Sequence, residues 1–592
     1  MASDSRSQSY LVFDLDDSLT KAVLIETTDE GYKIRGMAEA ATTVDSPNLD
    51  VTVGVEKAAR VLGQVAGKEL WVNDRPSKAH RFLCSSCTSG GLHMMVAGVV
   101  AMISAESAQR AALGAGALLT DVFSLDYPHP DFEIVEIMRD MKPDMFLLAG
   151  GTDGGAVKQV LDMGRLIVTA DVRPRFGSEY RLPVIYGGNV DARKQVLDSL
   201  SEEKYAVKTV DNVRPVIERE NLGPAKEAIY DSFMEHVIIH SPGYNKLVTW
   251  VDEPIVPTQA AIGNILYAYA TERNVNLLAV DVGGATTDVY SIYNGVFNRS
   301  LNADIGLTYG IGNVMKMAGV QSIMRWIPKE TSEKDLRNII GNLMILQSNS
   351  TTPDEILVQQ AAVREAIRLA VEHHKGIATK LRGLPIRRTI GDIFLQAMPE
   401  PLTRLDMART EVVVGRGKVF TQNQVTEAAL LLMDALQPEG ITEIMIDRLN
   451  LMPHLGMILK ENPDAAVRIL SKECLLRLGT CLAPRGRARR GELAMRIRMT
   501  KADGVVTDDE VNFGELKTLQ LSSGETAKLE VSPNRLDIGK GRGKRLEADV
   551  VGGEVGLILD ARGRPLNVPT EKRILAKWMD SLTPKQESAV RS

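Results

Sequence analysis

Two short segments carry the residue types that phosphate chemistry needs. In VFDLDDSLTKAVLIE, residues 12–26, an apolar run delivers Asp14 and Asp16 to a bend, and Ser18, Thr20 and Lys21 follow on its far side. Carboxylates at this spacing suit two reactions. In the first, Asp14 attacks a phosphoester as nucleophile and Asp16 acts as general acid. In the second, Asp14 and Asp16 are oxygen ligands for Mg2+ or an ordered water, while Ser18, Thr20 and Lys21 face phosphate. The other segment, LLAVDVGGATTDVYSIY at 277–293, places Asp281 at the end of an apolar run. Gly283 and Gly284 let the backbone come within hydrogen-bonding distance of phosphate oxygens, and the Thr286 and Thr287 hydroxyls add donors. Asp281 at the strand mouth is suited to hold Mg2+, a hard cation that prefers oxygen. The chain has no G-x-x-x-x-G-K-[ST] loop, so this cradle is a β-hairpin and not a loop opening a helix.

Both segments need strands to aim them, and both read strand, tight turn, strand. Residues 55–65 show helical spacing, a Gly-Gly turn at 90–91 leads into a buried strand, and SAESAQRAALGAGALL is an Ala-rich helix with Ser104 as N-cap. PDMFLLAGGTDGGAVKQVLDMG at 143–164 and LPVIYGGNVDARKQVLDSL at 182–200 share one plan of strand, glycine turn and helix, their Lys-Gln-Val-Leu-Asp ends 36 residues apart. Such units imply a right-handed parallel sheet with accessible loops at the strand C-termini. Gly150, Gly151, Thr152, Asp153 and Gly154 then either bind a ligand or merely turn the chain. Residues 330–376 read as helix, EVVVGRGK at 411–418 as a strand running into a glycine turn, and the chain from about 484 as short β-like runs.

Composition sets the frame for these elements. A chain of 592 residues is too long for one core, and about three or four domains are expected. Apolar residues at 44% and charged residues at 25% are those of a globular protein and exclude a largely disordered one. With 70 Lys plus Arg against 76 Asp plus Glu, the net charge of -6 offers no overall attraction to nucleic acid or anionic membrane. The longest apolar run, residues 92–104, is shorter than the ~20 residues of a membrane span. The polar N-terminus and four cysteines point to a cytoplasmic, reducing address.

Seven segments, SSCTSGGLHMMVAGVV, LLAGGTDGG, VIYGGN, VDVGGATTDVYS, QPEGITEIMID, PHLGMI and LDARGRPL, resemble in that order the glutamate mutase accessory-protein family. The similarity runs from about residue 10 to 575. That family is similar to the reactivating ATPases of adenosylcobalamin-dependent mutases, of the actin/sugar-kinase/Hsp70 fold, and is unrelated to the mismatch-repair protein sharing one of its common names. The resemblance implies an α/β protein: a first actin-like lobe with phosphate hairpin 1 at 10–142, a βα insertion at 143–222, a second actin-like lobe with hairpin 2 at 223–483, and a β-rich C-terminal domain at 484–592. It implies ATP and Mg2+ as cofactors and a mutase subunit as partner, with no nucleic acid or membrane; whether the chain forms a homo-oligomer is left open. Asp14 and Asp281 would be catalytic, with Asp14, Asp16 and Asp281 on the metal. Ser18, Thr20, Lys21, Gly283, Gly284, Thr286, Thr287, Gly415 and Gly417 would contact the nucleotide. The implied work is repair or maturation of the mutase, with a non-hydrolysing assembly partner and a phosphatase acting through Asp14 as alternatives.

Two departures from the family pattern bear on this. Asp16 and Asp17 occupy the first turn where relatives carry glycine and a hydroxyl; each added anion about 5 Å from a triphosphate opposes it by roughly 3 kcal/mol at an effective dielectric near 20. At the adenosine-side turn, Val414-Gly415-Arg416-Gly417-Lys418 puts an arginine where relatives have a small residue. Arg416 would stack on adenine, bind phosphate or block the pocket. Other signals read as structural. Cys84-x-x-Cys87 lacks a second pair at zinc spacing, and His373-His374 reads as a solvated helix end. His454 reads as a packed core residue, and the basic runs at 485–490 and 539–545 as solvated surface.

Overall fold

Six consecutive buried residues, Tyr10–Leu15, make the first strand (β1) a central one, covered on both faces and therefore apolar without alternation. The computed structural model describes residues 9–582 apart from 17, 30, 46, 88–90, 127–128, 176, 178, 309, 346–351 and 382–402. Asp17 and Gly90 of the expected turns lie outside the described residues. β1 turns into β2 (Leu19–Thr28), which pairs antiparallel with β3 (Gly31–Ala41). The helix Val51–Ala66 follows. Asp50 caps it by accepting from the Thr52 amide, and Gly67 ends it in the left-handed conformation. Its apolar face, with Val55, Ala58, Ala59 and Leu62, packs in one core with Phe13 and Leu15. β4 (Arg81–Ser86) then runs parallel to β1.

An insertion interrupts the sheet here. β5 (His93–Gly98), β6 (Leu118–Ser124), β7 (Met145–Leu148), β8 (Leu182–Tyr186) and β9 (Tyr205–Thr209) form an all-parallel sheet in the order β6-β5-β7-β8-β9. The parallel sheet was expected from the two βα units, but it starts at His93 and not at 143, because β5 sits between β6 and β7. β10 (Val256–Pro257) then pairs parallel with β4 and completes the first sheet as β10-β4-β1-β2-β3.

The second half repeats that plan. β11 (Leu277–Val282), β12 (Thr287–Tyr293) and β13 (Val296–Asn302) are antiparallel, and β14 (Val412–Arg416) and β15 (Gly440–Asp447) add in parallel on the other side of β11. In both halves the first strand is central, the second and third lie to one side, and the fourth and fifth to the other. This duplicated α/β topology is that of the actin-like fold. The helix Pro353–Ile377 packs in the second core, its start set by a capping box of Thr352 and Glu355.

The C-terminal region is β-rich, as expected, but not wholly separate. After β16 (Leu475–Ala483) come β17 (Leu493–Lys501), β18 (Val506–Asn512), β19 (Leu516–Leu519), β20 (Thr526–Pro533), β21 (Leu546–Val551) and β22 (Gly556–Asp560). β17, β18, β20 and β21 form their own sheet, whereas β16, β22 and β19 extend the second lobe's sheet to eight strands. LDARGRPL has a structural use here. Asp560 binds Arg562 and Arg564, Arg562 also binds Asp434, and Asp434 binds Arg364, all buried.

The chain folds as two units, one drawn from Met1–Tyr269, Thr379–Leu402 and Leu451–Glu473, the other from Ala270–Ala378, Thr403–Asn450 and Cys474–Ser592. The helix Met452–Ile458 thus belongs with the first. A Cβ on its Gly456 would lie 2.1 Å from the Ala261 carbonyl, so the two backbones touch there. Among the described residues no helix is long and apolar enough to cross a membrane.

Candidate functional site: two carboxylate-tipped hairpins

In the first unit Asp14 is the fifth residue of β1 and only 8% exposed. Ser85, its register partner on β4, donates to Asp14 Oδ1 at 2.7 Å, and Thr258, just after β10, donates to the same oxygen at 2.7 Å. Three neighbouring strands therefore converge on one carboxylate. Lys21 lies opposite Asp14 in the β1–β2 register and pairs with Glu39 of β3 at 3.2 Å. Its carbonyl is 3.2 Å from His454 Nε2, and His454 is buried as expected. Thr20 is fully buried and hydrogen-bonds to Thr42 at 3.0 Å. Asp16 and Ser18 occupy the exposed turn; the Asp16 amide donates to the Leu19 carbonyl, and the Cys87 thiol donates to Asp16 Oδ1 at 3.2 Å. Cys84 is buried, and burial beside Asp14 pushes its thiol pKa well up.

In the second unit the hairpin between β11 and β12 exposes Gly283, Gly284 and Ala285. The Gly283 amide donates to the Thr286 carbonyl at 2.9 Å and closes the turn. The tip rests on a loop that sequence reasoning missed: the Leu307 and Thr308 amides donate to the Gly283 and Gly284 carbonyls. A Cβ on Gly306 would lie 2.4 Å from the Gly284 carbonyl, and one on Gly310 2.3 Å from the Gly306 amide. The glycine spacing in Gly306-Leu-Thr-Tyr-Gly310 was the available signal. Thr287 is buried and its hydroxyl donates to the Ile305 carbonyl at 2.7 Å.

The charges beside this hairpin form a row. Asp281 lies between Arg416 of β14 and Asp288 of β12 in register. Arg416 NH1 is 2.5 Å from Asp281 Oδ2, and Arg299 binds Asp288 at 2.6 Å. Burial raises the Asp288 pKa to about 6, with Asp281 adding to the rise and Arg299 opposing it. Gly415 is buried in β14, and a Cβ there would meet Leu432 at 3.1 Å. Gly417 has φ +120, and its Cβ would lie 2.3 Å from the Val282 carbonyl, so only glycine lets the β14 turn approach the hairpin this closely.

Exposed turns with glycine backbone and hydroxyls fit phosphate oxygens. A divalent cation fits less well, because Asp281, its expected ligand, is already held by a guanidinium. Among the described residues, no three or more His, Cys, Asp or Glu side chains are grouped to hold a metal.

One other expectation resolves differently. His374 is no solvated helix end. It is fully buried between Ser300 and Ser291, each 2.8 Å from a ring nitrogen, and burial lowers its pKa to about 3. The glycines after β7 knit loops together: the Asn189 amide donates to the Gly150 carbonyl, Asn212 donates to the Gly151 carbonyl and Asp153, and a Cβ on Gly188 would lie 2.9 Å from the Gly150 carbonyl.

The family described as "MutL protein" matches residues 10–474. A curated relative, "Protein MutL" of Clostridium tetanomorphum, is 26% identical over 494 residues, which are 78% of this chain and 98% of the relative. Among solved structures, a diol dehydratase-reactivating factor in nucleotide-free form aligns with TM-score 0.30 and 11% identity, over 77% of this chain and 100% of that one. Component A of Acidaminococcus fermentans (R)-2-hydroxyglutaryl-CoA dehydratase aligns with TM-score 0.28 and 11% identity, over 78% of this chain and 100% of that one. Likeness at these scores carries no statement about activity. The match across most of the sequence is what assigns the family: the chain belongs to the MutL protein family.

Proposed function

We propose that this protein is a nucleotide-dependent chaperone that reactivates or matures an adenosylcobalamin-dependent mutase. The observation that carries the reading is the repeated sheet, whose central first strand delivers an aspartate, Asp14 or Asp281, to a polar hairpin in each unit. Gly283, Gly284, Thr286 and the Ser18 turn would contact phosphate. Asp14 and Asp281 would orient the hairpins and any attacking water, with Lys21 and Arg416 supplying positive charge beside them. Nucleotide bound at the hairpins would favour one conformational arrangement of the protein and its loss another. That arrangement would loosen the mutase enough for damaged cobalamin to leave. The bias so exerted cannot exceed the difference in nucleotide affinity between the two states.

A second reading is favoured by one observation, the Arg416–Asp281 pair. In it the nucleotide is an equilibrium effector, bound and released without turnover, and the protein is an assembly partner.

Both readings meet in one experiment. A mutase inactivated with cyanocobalamin is incubated with the chain, ATP or a non-hydrolysable analogue, and fresh adenosylcobalamin, and its activity is followed. Recovery with ATP alone supports the reactivating ATPase, and recovery with either nucleotide supports the effector. No recovery and no complex with the mutase would remove both.

A further inference from the structure

We propose that Arg416 takes the place of a divalent cation at Asp281, so that the second hairpin accepts nucleoside di- or triphosphate in metal-free form. The nucleotide half of this rests on the function proposed above; the cation half does not. Arg416 is the last residue of β14 and lies beside Asp281 in the parallel register, its NH1 2.5 Å from Oδ2. Both side chains are mostly withdrawn from water, at 17% and 14% exposure, so solvent screens the pair weakly. The next carboxylate across the sheet, Asp288, is held by the buried Arg299. A divalent ion entering this row would meet two carboxylates already neutralised by two guanidiniums. To reach Asp281 it would have to displace Arg416 and leave that cation beside a second one.

The guanidinium has more to offer than charge. It carries N–H donors in a planar fork whose geometry matches phosphate oxygens. Its anchor is fixed from both sides: Gly415 is packed against Leu432, and the Gly417 amide donates to Asn450 Oδ1 at 3.2 Å. One guanidinium therefore compensates Asp281 at the strand end from which the phosphate hairpin springs. The first hairpin is built differently. There Ser85 takes the register position corresponding to Arg416, and Lys21 that of Asp288.

The test uses the full chain with Arg416→Ala, Arg416→Lys, Asp281→Asn and the double variant Arg416→Ala/Asp281→Asn, each checked for an unchanged melting profile. Mn2+ alone is titrated by electron paramagnetic resonance, and mant-ATP binding is measured in EDTA and in Mg2+. The expected result is no high-affinity Mn2+ site in the wild type or in Arg416→Lys, one in Arg416→Ala, and its loss in the double variant. Mant-ATP should bind the wild type equally with and without Mg2+. Arg416→Ala should lose about tenfold or more in EDTA, the loss expected of one charge-assisted hydrogen bond, and regain it with Mg2+. A wild-type Mn2+ site abolished by Asp281→Asn would overturn the proposal, as would wild-type mant-ATP binding that requires Mg2+. If no variant binds mant-ATP, the nucleotide reading falls by itself, and the Mn2+ titration still decides whether Arg416 stands in for a metal.

Discussion

Asp288 and Arg299 show at residue scale why the second hairpin tolerates so much charge. Both are buried, and their mutual hydrogen bond is what makes ionised Asp288 tenable. Replacing Arg299 with Met leaves the carboxylate buried beside Asp281 without its cation. We expect a loss of about 3–5 kcal/mol in urea unfolding, of which Asp288→Asn in the same background restores a substantial part. An equal loss in the double variant would show that Arg299 matters for packing alone. None of this was legible from DVGGATTDV. The glycines and acidic residues announced a phosphate turn, but the partners that set their charge, Arg299 and Arg416, lie 11 and 135 residues away and reach them only through the sheet.

At the scale of elements, the hairpin tip is only as well placed as the loop beneath it. Gly306→Ala would drive a Cβ into the Gly284 carbonyl, so the tip must shift; a cost of about 1–3 kcal/mol is expected, with weaker mant-ATP binding as the functional readout. The helix ending at Ile377 offers a pH test. The ordinary histidine pKa is 6.5 and that of His374 is about 3. Between those values the unfolded chain binds a proton that the folded chain refuses, so stability falls as pH drops from about 6.5 toward 3. At pH 5 the loss from this one group is about 2 kcal/mol. Asp288 acts in the opposite sense: its pKa of about 6 lies above the ordinary 3.8, so its contribution declines as pH rises through that range. His374→Asn should therefore lose less stability than the wild type between pH 7 and pH 5, by about 2 kcal/mol in urea unfolding. An unchanged difference would show that His374 is protonated in the fold. Sequence spacing correctly made this segment a helix, yet it read the histidine as solvated. Its burial is decided by Ser291 and Ser300 on β12 and β13, which helical periodicity cannot register.

At the scale of the whole molecule, the strand-turn-strand units, the parallel insertion and the β-rich end could be read from apolar runs and glycine turns, because those signals are local. The start of the insertion and the attachment of β19 and β22 to the second sheet could not, since strand partners are chosen across long stretches of chain. The return of residues 451–473 to the first unit belongs to the same class. Gly456→Val tests it: the side chain would strike the Ala261 backbone, and we expect destabilisation of about 1–3 kcal/mol with proteolysis beginning near that helix. Cleavage confined to the C-terminal sheet would count against that packing.

The central proposal is that nucleotide binding depends on both hairpins, the one that follows Asp14 and the one that follows Asp281. Its most direct measurement is equilibrium mant-ATP binding to the full chain with Asp14→Ala and Gly284→Val made one at a time. A single site per chain, weakened by either substitution alone, is the predicted result. A site that responds to one hairpin and is indifferent to the other would contradict it.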